Sequence, residues 1–362
     1  MCPRRQNEVK MSILEEVAKQ AGVSTRTVTR VMRGDTKERW PSAMARAEKI
    51  RRIARELGYR PNSSASAIRK GRFDCLGLLL SADEGRSNLP PLLLDGIHDE
   101  LLERQMHLTL AKLPDQELVE AGAFPRILQE CCCDGLLVNY TDRIPHAMLK
   151  RLDEDPVPSM WLNCKLKQDC IHYDDYQAGV DATQRLIELG HRRIAYLDFT
   201  QFHLQPDSHY SRVDRHAGYV STMLQAGLTP TPRDQFAGIH GKGRLTAICQ
   251  LLQSSNRPTA IISYDAPHRV LLAAAMSGLS LPHDLSLISF DEQLTQGSSS
   301  EQGEDYIGID VSCMRLPTAL AGQRAVELLL EKIEHPNQSI APCVLPLTWD
   351  AGQTIASVRE HQ

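Results

Sequence analysis

The chain has 362 residues, 42% of them hydrophobic and 24% charged, with a net charge of −4; this is a globular mixture able to fill several cores, and it excludes a wholly disordered or fibrous protein. No apolar run approaches the ~20 residues of a bilayer crossing. The start Met1-Cys2-Pro3-Arg4-Arg5-Gln6-Asn7 is polar, unlike a secretory leader, so a cytoplasmic protein is expected. The net charge hides a division: residues 1–72 hold 18 Lys and Arg against 7 Asp and Glu, and the remainder holds 23 against 38. A dense basic segment is the footprint of a polyanion partner, because each neutralised phosphate releases counterion; on charge alone, a solvated basic face is the open alternative. The ten cysteines show neither paired Cys-x-x-Cys units nor a Cys/His ligand spacing, so neither a metal nor a cofactor is expected. Cys131-Cys132-Cys133 precedes the apolar run Gly135-Leu136-Leu137-Val138 and reads as packing.

In chain order, Ser12 with Glu15 three residues on is a capping box, and Val17, Ala18 and Ala21 continue at helical spacing to Gly22. Ser24 can cap a second helix, Thr25 to Met32, with Val28, Val31 and Met32 inward and Thr25, Arg26, Thr29 and Arg30 on the polar face. Two short helices joined at a glycine turn predict a helix-turn-helix, whose second helix enters the major groove. A third helix over residues 42–57 is expected to bury Met44, Ile50, Ile53 and Leu57 and to show Arg46, Lys49, Arg51, Arg52 and Arg55 outward.

The run from Glu16 to Met32 and the segment Leu57-Gly58-Tyr59-Arg60-Pro61-Asn62 resemble the headpiece of the lactose repressor and galactose repressor family. The resemblance implies a DNA-binding headpiece over residues 11–62 and a hinge over 63–72 that forms a helix on the operator. It places the DNA contacts on Ser24, Thr25, Arg26, Thr27, Thr29, Arg30, Asn62 and Ala65, with Ile68 at the minor-groove wedge. The loop from Arg33 to Arg46 is longer than the family's, Arg33 replaces its usual Asn, and Arg46-Ala47 replaces its Thr-Arg pair. Residues 1–10 exceed the usual start, so Met11 is an alternative first residue.

From Cys75 on, apolar runs alternate with amphipathic stretches: strands at 76–80, 107–110, 135–138, 192–197 and 287–290, and helices near 92–105, 124–130 and 180–189, the last ending at Gly190. This order predicts parallel sheets covered by helices. The segments Gly190-His191-Arg192-Arg193-Ile194-Ala195 and Ser289-Phe290-Asp291 are similar to family signatures. They imply two periplasmic-binding-protein-like α/β subdomains, expected at about 73–190 with 308–337 and about 191–307 with 338–362. The motif positions that match the family's effector site are Asp174, Arg215, Asp265 and Asp291. A guanidinium among carboxylates suits a polyhydroxy ligand; Asp174 and Asp291 have an alternative as caps of helices or turns, and Asp265 is an equally plausible helix N-cap. Trp161, Phe236 and Trp349 read as core. The implied partners are a pseudo-palindromic operator, a small effector of carbohydrate type and a second copy of the chain, with no membrane. An enzyme is the first rival, but no nucleophile elbow, Walker loop or zinc-protease motif is present, and Gly238 to Gly243 reads as a turn. The second, a solute-binding protein on the same core, does not account for the basic headpiece.

Overall fold

A computed structural model describes residues 12–32, 40–59, 71–114, 133–154, 157–199, 208–232, 235–236, 238–264, 266–290 and 309–358. The chain divides into two compact units, Met1–Phe73 and Asp74–Gln362. In the first unit, α1 (Ile13–Ala21) starts at the expected capping box: Glu15 N–H donates to Ser12 Oγ at 3.3 Å, and Ser12 N–H donates to Glu15 Oε2 at 2.8 Å. It stops at Gly22, whose φ of +71° is the left-handed conformation that glycine adopts without strain. Helices α2 (Thr25–Met32) and α3 (Pro41–Glu56) complete the unit. Val17, Ala18, Ala21, Val28, Val31, Ala47, Ile50, Ile53 and Ala54 form its core. Two expected core positions of α3 are corrected. Met44 is exposed, one turn before the first buried residue of the helix, and Leu57 is half-buried after its end; the small Ala47 and Ala54 occupy the inward face instead.

The second unit contains two sheets. The first has the order β10-β5-β4-β3-β1-β2, all parallel, with β1 Cys75–Ser81, β2 His107–Leu113, β3 Gly135–Asn139, β4 Ser159–Leu162, β5 Cys170–Tyr173 and β10 Cys343–Leu345. The second has the order β11-β9-β8-β7-β6, with β6 Ile194–Leu197, β7 Ala260–Ser263, β8 Ser286–Ser289, β9 Ser312–Arg315 and the antiparallel edge β11 Thr348–Asp350. Helices α4 (Pro91–Glu103), α5 (His146–Glu154) and α10 (Thr318–Glu334) belong with the first sheet; α6 (Asp175–Glu188), α7 (Tyr210–Gln225), α8 (Lys242–Gln253) and α9 (Pro267–Met276) belong with the second. The inner strands β3, β4, β6, β7 and β8 are short, mostly apolar and wholly buried, as expected of parallel strands covered on both faces. The helix expected over 124–130 lies outside the described residues.

The crossings between subdomains fall elsewhere than expected. α6 packs on α7, β7 and β9, so the first crossing follows Tyr173 rather than Gly190. β9 belongs to the second sheet and β10 to the first, so the later crossings follow Arg315 and Leu345, not residues 307 and 337. An amphipathic helix shows in sequence that it covers a sheet, not which sheet it covers. His191 then has a structural role at the start of β6: its ring nitrogens meet Thr259 Oγ1 at 2.9 Å, Ser286 Oγ at 3.0 Å and the Ala356 carbonyl at 3.0 Å, tying the second sheet to the last described segment.

Candidate functional site

In α2, Val28 and Val31 are buried, which turns Arg26 and Arg30 to solvent and leaves Thr25, Thr27 and Thr29 half-exposed. Ser24 Oγ accepts the Thr27 N–H at 3.2 Å and lies 3.0 Å from Thr27 Oγ1, and the Thr29 hydroxyl donates to the Thr25 carbonyl at 2.9 Å. Ser24, Thr27 and Thr29 thus build the helix with the same groups that were expected at DNA. Among the described residues, Arg26, Arg30 and Thr25 make no such commitment of their side chains. Lys49, from α3, donates to the Ala21 carbonyl at 3.4 Å and caps the end of α1. Asn62, Ala65 and Ile68 lie outside the described residues.

In the second unit, a cavity of about 240 Å3 opens between the subdomains. The first subdomain contributes Asp142 and Asn163, from loops after β3 and β4, and Tyr173 at the end of β5; the second contributes Asp175, His209, Arg212 and Arg215 at the starts of α6 and α7, with Tyr264 after β7. Strand carboxyl ends and helix starts therefore meet at the cleft, the expected place for a ligand in an open α/β sheet. Arg215 is buried and donates from Nε to Asp175 Oδ1 at 2.5 Å. Its guanidinium carbon lies 4.5 Å from the Phe290 ring centroid and 5.1 Å from that of Tyr264. Burial is the largest influence and works against its charge, but the Asp175 carboxylate together with the Tyr264 and Tyr196 side chains outweighs it, and the pKa is raised. Asp174, by contrast, caps α6 by accepting the Gln177 N–H at 3.1 Å and does not line the cavity. Asp265 and Asp291 lie outside the described residues.

One rim of the cleft is joined across the subdomains. The His209 N–H donates to Asp142 Oδ1 at 3.1 Å, the Tyr210 hydroxyl donates to Asn163 Oδ1 at 2.9 Å, and Lys165 Nζ meets Asp214 Oδ2 at 2.5 Å. Ser211 N–H donates to His209 Nδ1 at 3.3 Å, which leaves the ring proton on Nε2, 3.1 Å from the Asn163 carbonyl oxygen. Burial, with the Arg215 and Arg212 guanidiniums acting in the same direction, holds the His209 pKa down to about 4, against 6.5 for a free imidazole. Protons therefore favour the unfolded chain: the contribution of His209 to stability is whole above pH 6.5 and is lost as the pH falls toward 4. The loss is expected to reach about 2–3 kcal/mol. Melting temperatures of wild type and His209→Gln across that range check it; the gap between the two should narrow on acidification, and a constant gap means that His209 titrates normally.

A larger groove of about 840 Å3 lies at the amino ends of β4 and β5, beside Trp161, Asp169 and Lys332, on the side of the first sheet away from the cleft. Its buried carboxylate is already taken, since Asp169 Oδ2 pairs with Lys332 Nζ at 2.7 Å and Oδ1 accepts the Ile340 N–H. Trp161 and Phe236 are core residues, whereas Trp349 is half-buried with the Arg185 guanidinium 4.4 Å from its ring centroid. Cys164 is buried in the first subdomain, where burial pushes its thiol up to about 12, and is therefore inert packing. Gly238 and Gly241 both have positive φ, at +74° and +53°, in the turn that leads to α8.

Together, a basic helix-turn-helix unit and a two-subdomain α/β unit with a polar cleft define a ligand-regulated DNA-binding protein. A model of "Bacterial regulatory proteins, lacI family" matches residues 13–62, and one of a "Periplasmic binding protein-like domain" matches residues 183–355. The ribose operon repressor of Haemophilus influenzae is 28% identical over 357 residues, which cover 96% of this chain and all of that protein. The crystal structure of the lac repressor dimer bound to operator and the anti-inducer ONPF superposes with a TM-score of 0.69 at 20% identity, covering 96% of this chain and all of that one. A LacI family transcriptional regulator from Enterococcus faecium with bound ribose gives a TM-score of 0.58 at 20% identity, covering 79% of this chain and all of the other. The chain thus joins a headpiece of the lacI family of bacterial regulatory proteins, over residues 13–62, to a periplasmic-binding-protein-like domain over residues 183–355.

Proposed function

We propose that the protein works as a cytoplasmic, nucleoid-associated homodimer that reads a pseudo-palindromic operator through Thr25, Arg26 and Arg30. In this reading a small carbohydrate or carbohydrate derivative in the cleft sets operator affinity. The observation that carries it is the cavity walled by Asp142 and Asn163 from one subdomain and by Asp175 and Arg215 from the other, because a ligand there touches both halves of the core. Asp175 and Arg215 replace the wider set Asp174, Arg215, Asp265 and Asp291 as the first residues to test. The volume is below the about 300–1,000 Å3 of drug-sized sites, which favours a single ring or a short open chain. The name of the Haemophilus influenzae relative and the ribose in the Enterococcus faecium structure support a sugar-like ligand. Leu102 and Leu110, near the edge strand β2, and Leu272 and Met276 on α9 are exposed apolar surface of the kind a second copy covers. Ser24, Thr27, Thr29, Asn62, Ala65 and Ile68 remain the supporting DNA contacts of the proposal.

Arg26 is at the start of the recognition helix, where a guanidinium reaches paired acceptors on guanine. Binding-site selection with wild-type protein should return two inverted half-sites. Arg26→Ala should weaken operator binding by about 1–3 kcal/mol and relax preference at one position in each half. An unchanged motif in that variant removes Arg26 from the reading surface.

A further inference from the structure

Among the described residues that line the cleft, buried side-chain atoms without a hydrogen-bond partner fall on Arg212 and on one oxygen of Asp175. Arg215 gives Nε to Asp175, and Asp142 Oδ1 takes the His209 N–H. Arg212 precedes Arg215 on α7 and lines the same cavity, with 14% of its side chain exposed. Its Nε and Nη1 are buried and have no hydrogen-bond partner among the described residues. The carboxylate that it faces, Asp142, keeps Oδ2 3.6 Å from Nη1, beyond hydrogen-bond length. A buried guanidinium left short of acceptors is costly. The surplus is one of donors: Asp175 Oδ2 is also without a partner, but that carboxylate already shares its charge with Arg215. The field of the two guanidiniums is felt locally, since both act to keep His209 neutral. A neutral sugar hydroxyl is a modest acceptor for such a group, whereas a carboxylate or phosphate oxygen makes a charge-assisted bond roughly twice as strong. The planar guanidinium also matches the geometry of either anion.

We propose that Arg212 determines specificity and that the effector carries an anionic group, a carboxylate or a phosphate, which Arg212 receives while the rest of the ligand lies against Arg215 and Asp175. The inference rests on the assignment of the cleft as the effector site. Arg212 belongs to the second subdomain and Asp142 to the first, so an anion that draws Arg212 away from Asp142 exchanges a cross-cleft ion pair for a ligand contact. The charge of the effector is thereby coupled to the spacing of the subdomains, the quantity that operator affinity depends on.

The test uses full-length protein and matched probes that differ only in charge: D-ribose, D-ribonate and D-ribose 5-phosphate, and the corresponding D-glucose, D-gluconate and D-glucose 6-phosphate. Thermal shifts find the binders and calorimetry gives affinities. A charged member of a trio should bind at least about tenfold more tightly than its neutral parent. Whether the aldonate or the phosphate does so identifies the anion. Arg212→Gln should erase that preference, and Arg212→Lys, which keeps the charge, should retain part of it; ligand-free melts of both variants show that they are folded. The proposal is overturned if no charged probe binds, if the neutral parent binds as tightly, or if Arg212→Gln holds the anion with wild-type affinity. Arg215→Gln separates this from the cleft assignment. A bound probe indifferent to Arg215 lies outside the cleft, so both readings fail; one that needs Arg215 but ignores Arg212 overturns only the anion.

Discussion

Asp175→Ala should lower the stability of the core by about 3–5 kcal/mol and abolish the effector response, because it leaves the Arg215 guanidinium buried and unpaired. Asp175 is wholly buried and Arg215 nearly so, with 2.5 Å between Oδ1 and Nε, so neither charge recovers hydration when the other is removed. The double variant Asp175→Leu/Arg215→Met should behave differently. Replacing both charges with apolar groups of similar size is often close to neutral for stability, yet it removes the cation and the carboxylate at the cleft. The expected pattern is a melting temperature lowered by roughly 6 °C or more in Asp175→Ala and largely restored in the double variant, with no ligand-induced shift in either. If Asp175→Ala melts like wild type, the pair does not hold this part of the core together. If the double variant still responds to ligand, the pair holds structure but takes no part in binding.

What the residues alone disclose follows the range of the forces involved. The capping box at Ser12 and Glu15, the glycine stop at Gly22 and the inward face of α2 are set within a few residues, and all three are visible before any fold is known. The apolar runs of β1, β3, β6 and β8 are visible for the same reason, whereas β4, β5 and β7, equally buried and four residues long, are not among the expected strands. The crossing points are not, because α6 looks identical whether it covers β5 or β7; only its packing on α7, β7 and β9 decides. The cleft shows the same limit at finer scale. Arg215 is legible from its motif, but choosing between Asp174 and Asp175 requires knowing which residue opens the helix. Asp174, with φ −81° and ψ 69°, remains outside α6 as its cap, and Asp175 is the first helical residue, turned inward toward Arg215. Asp142, Asn163, His209 and Arg212 belong to segments that only the fold brings together. The rule that ligands lie beyond strand carboxyl ends points to the loop after β3, where Asp142 stands three residues past Asn139. No local signal marks Arg212.

The helix pair that brings Asp175 to Arg215 depends on glycines. A Cβ on Gly179 of α6 would lie 2.1 Å from the Arg215 carbonyl oxygen, and one on Gly218 of α7 would lie 2.2 Å from that of Tyr176. The first subdomain repeats the device between α4 and α10: a Cβ on Gly96 of α4 would lie 2.0 Å from the Ala319 carbonyl oxygen of α10, and one on Gly322 would lie 2.4 Å from that of Leu93. The obstructing atoms are backbone in every case, so no side chain can rotate aside and the helices themselves must separate. Gly179→Ala and Gly96→Ala should each cost about 3 kcal/mol, the upper part of the range for overpacking. Their effects on ligand should diverge. Separating α6 from α7 draws Asp175 from Arg215 and carries Arg212 away from Asp142, whereas separating α4 from α10 leaves both of those pairs in place and reaches the cavity only through Asn88 and Leu316, just before the two helices. At a temperature where both variants are folded, Gly179→Ala should lose about tenfold or more in effector affinity while Gly96→Ala stays within about threefold of wild type. Calorimetry on the two variants, with circular-dichroism melts to match their stabilities, measures the difference. Equal losses mean that ligand binding follows the stability of the whole core, and equal retention means that the cleft tolerates a shift of α7 that the present packing does not allow.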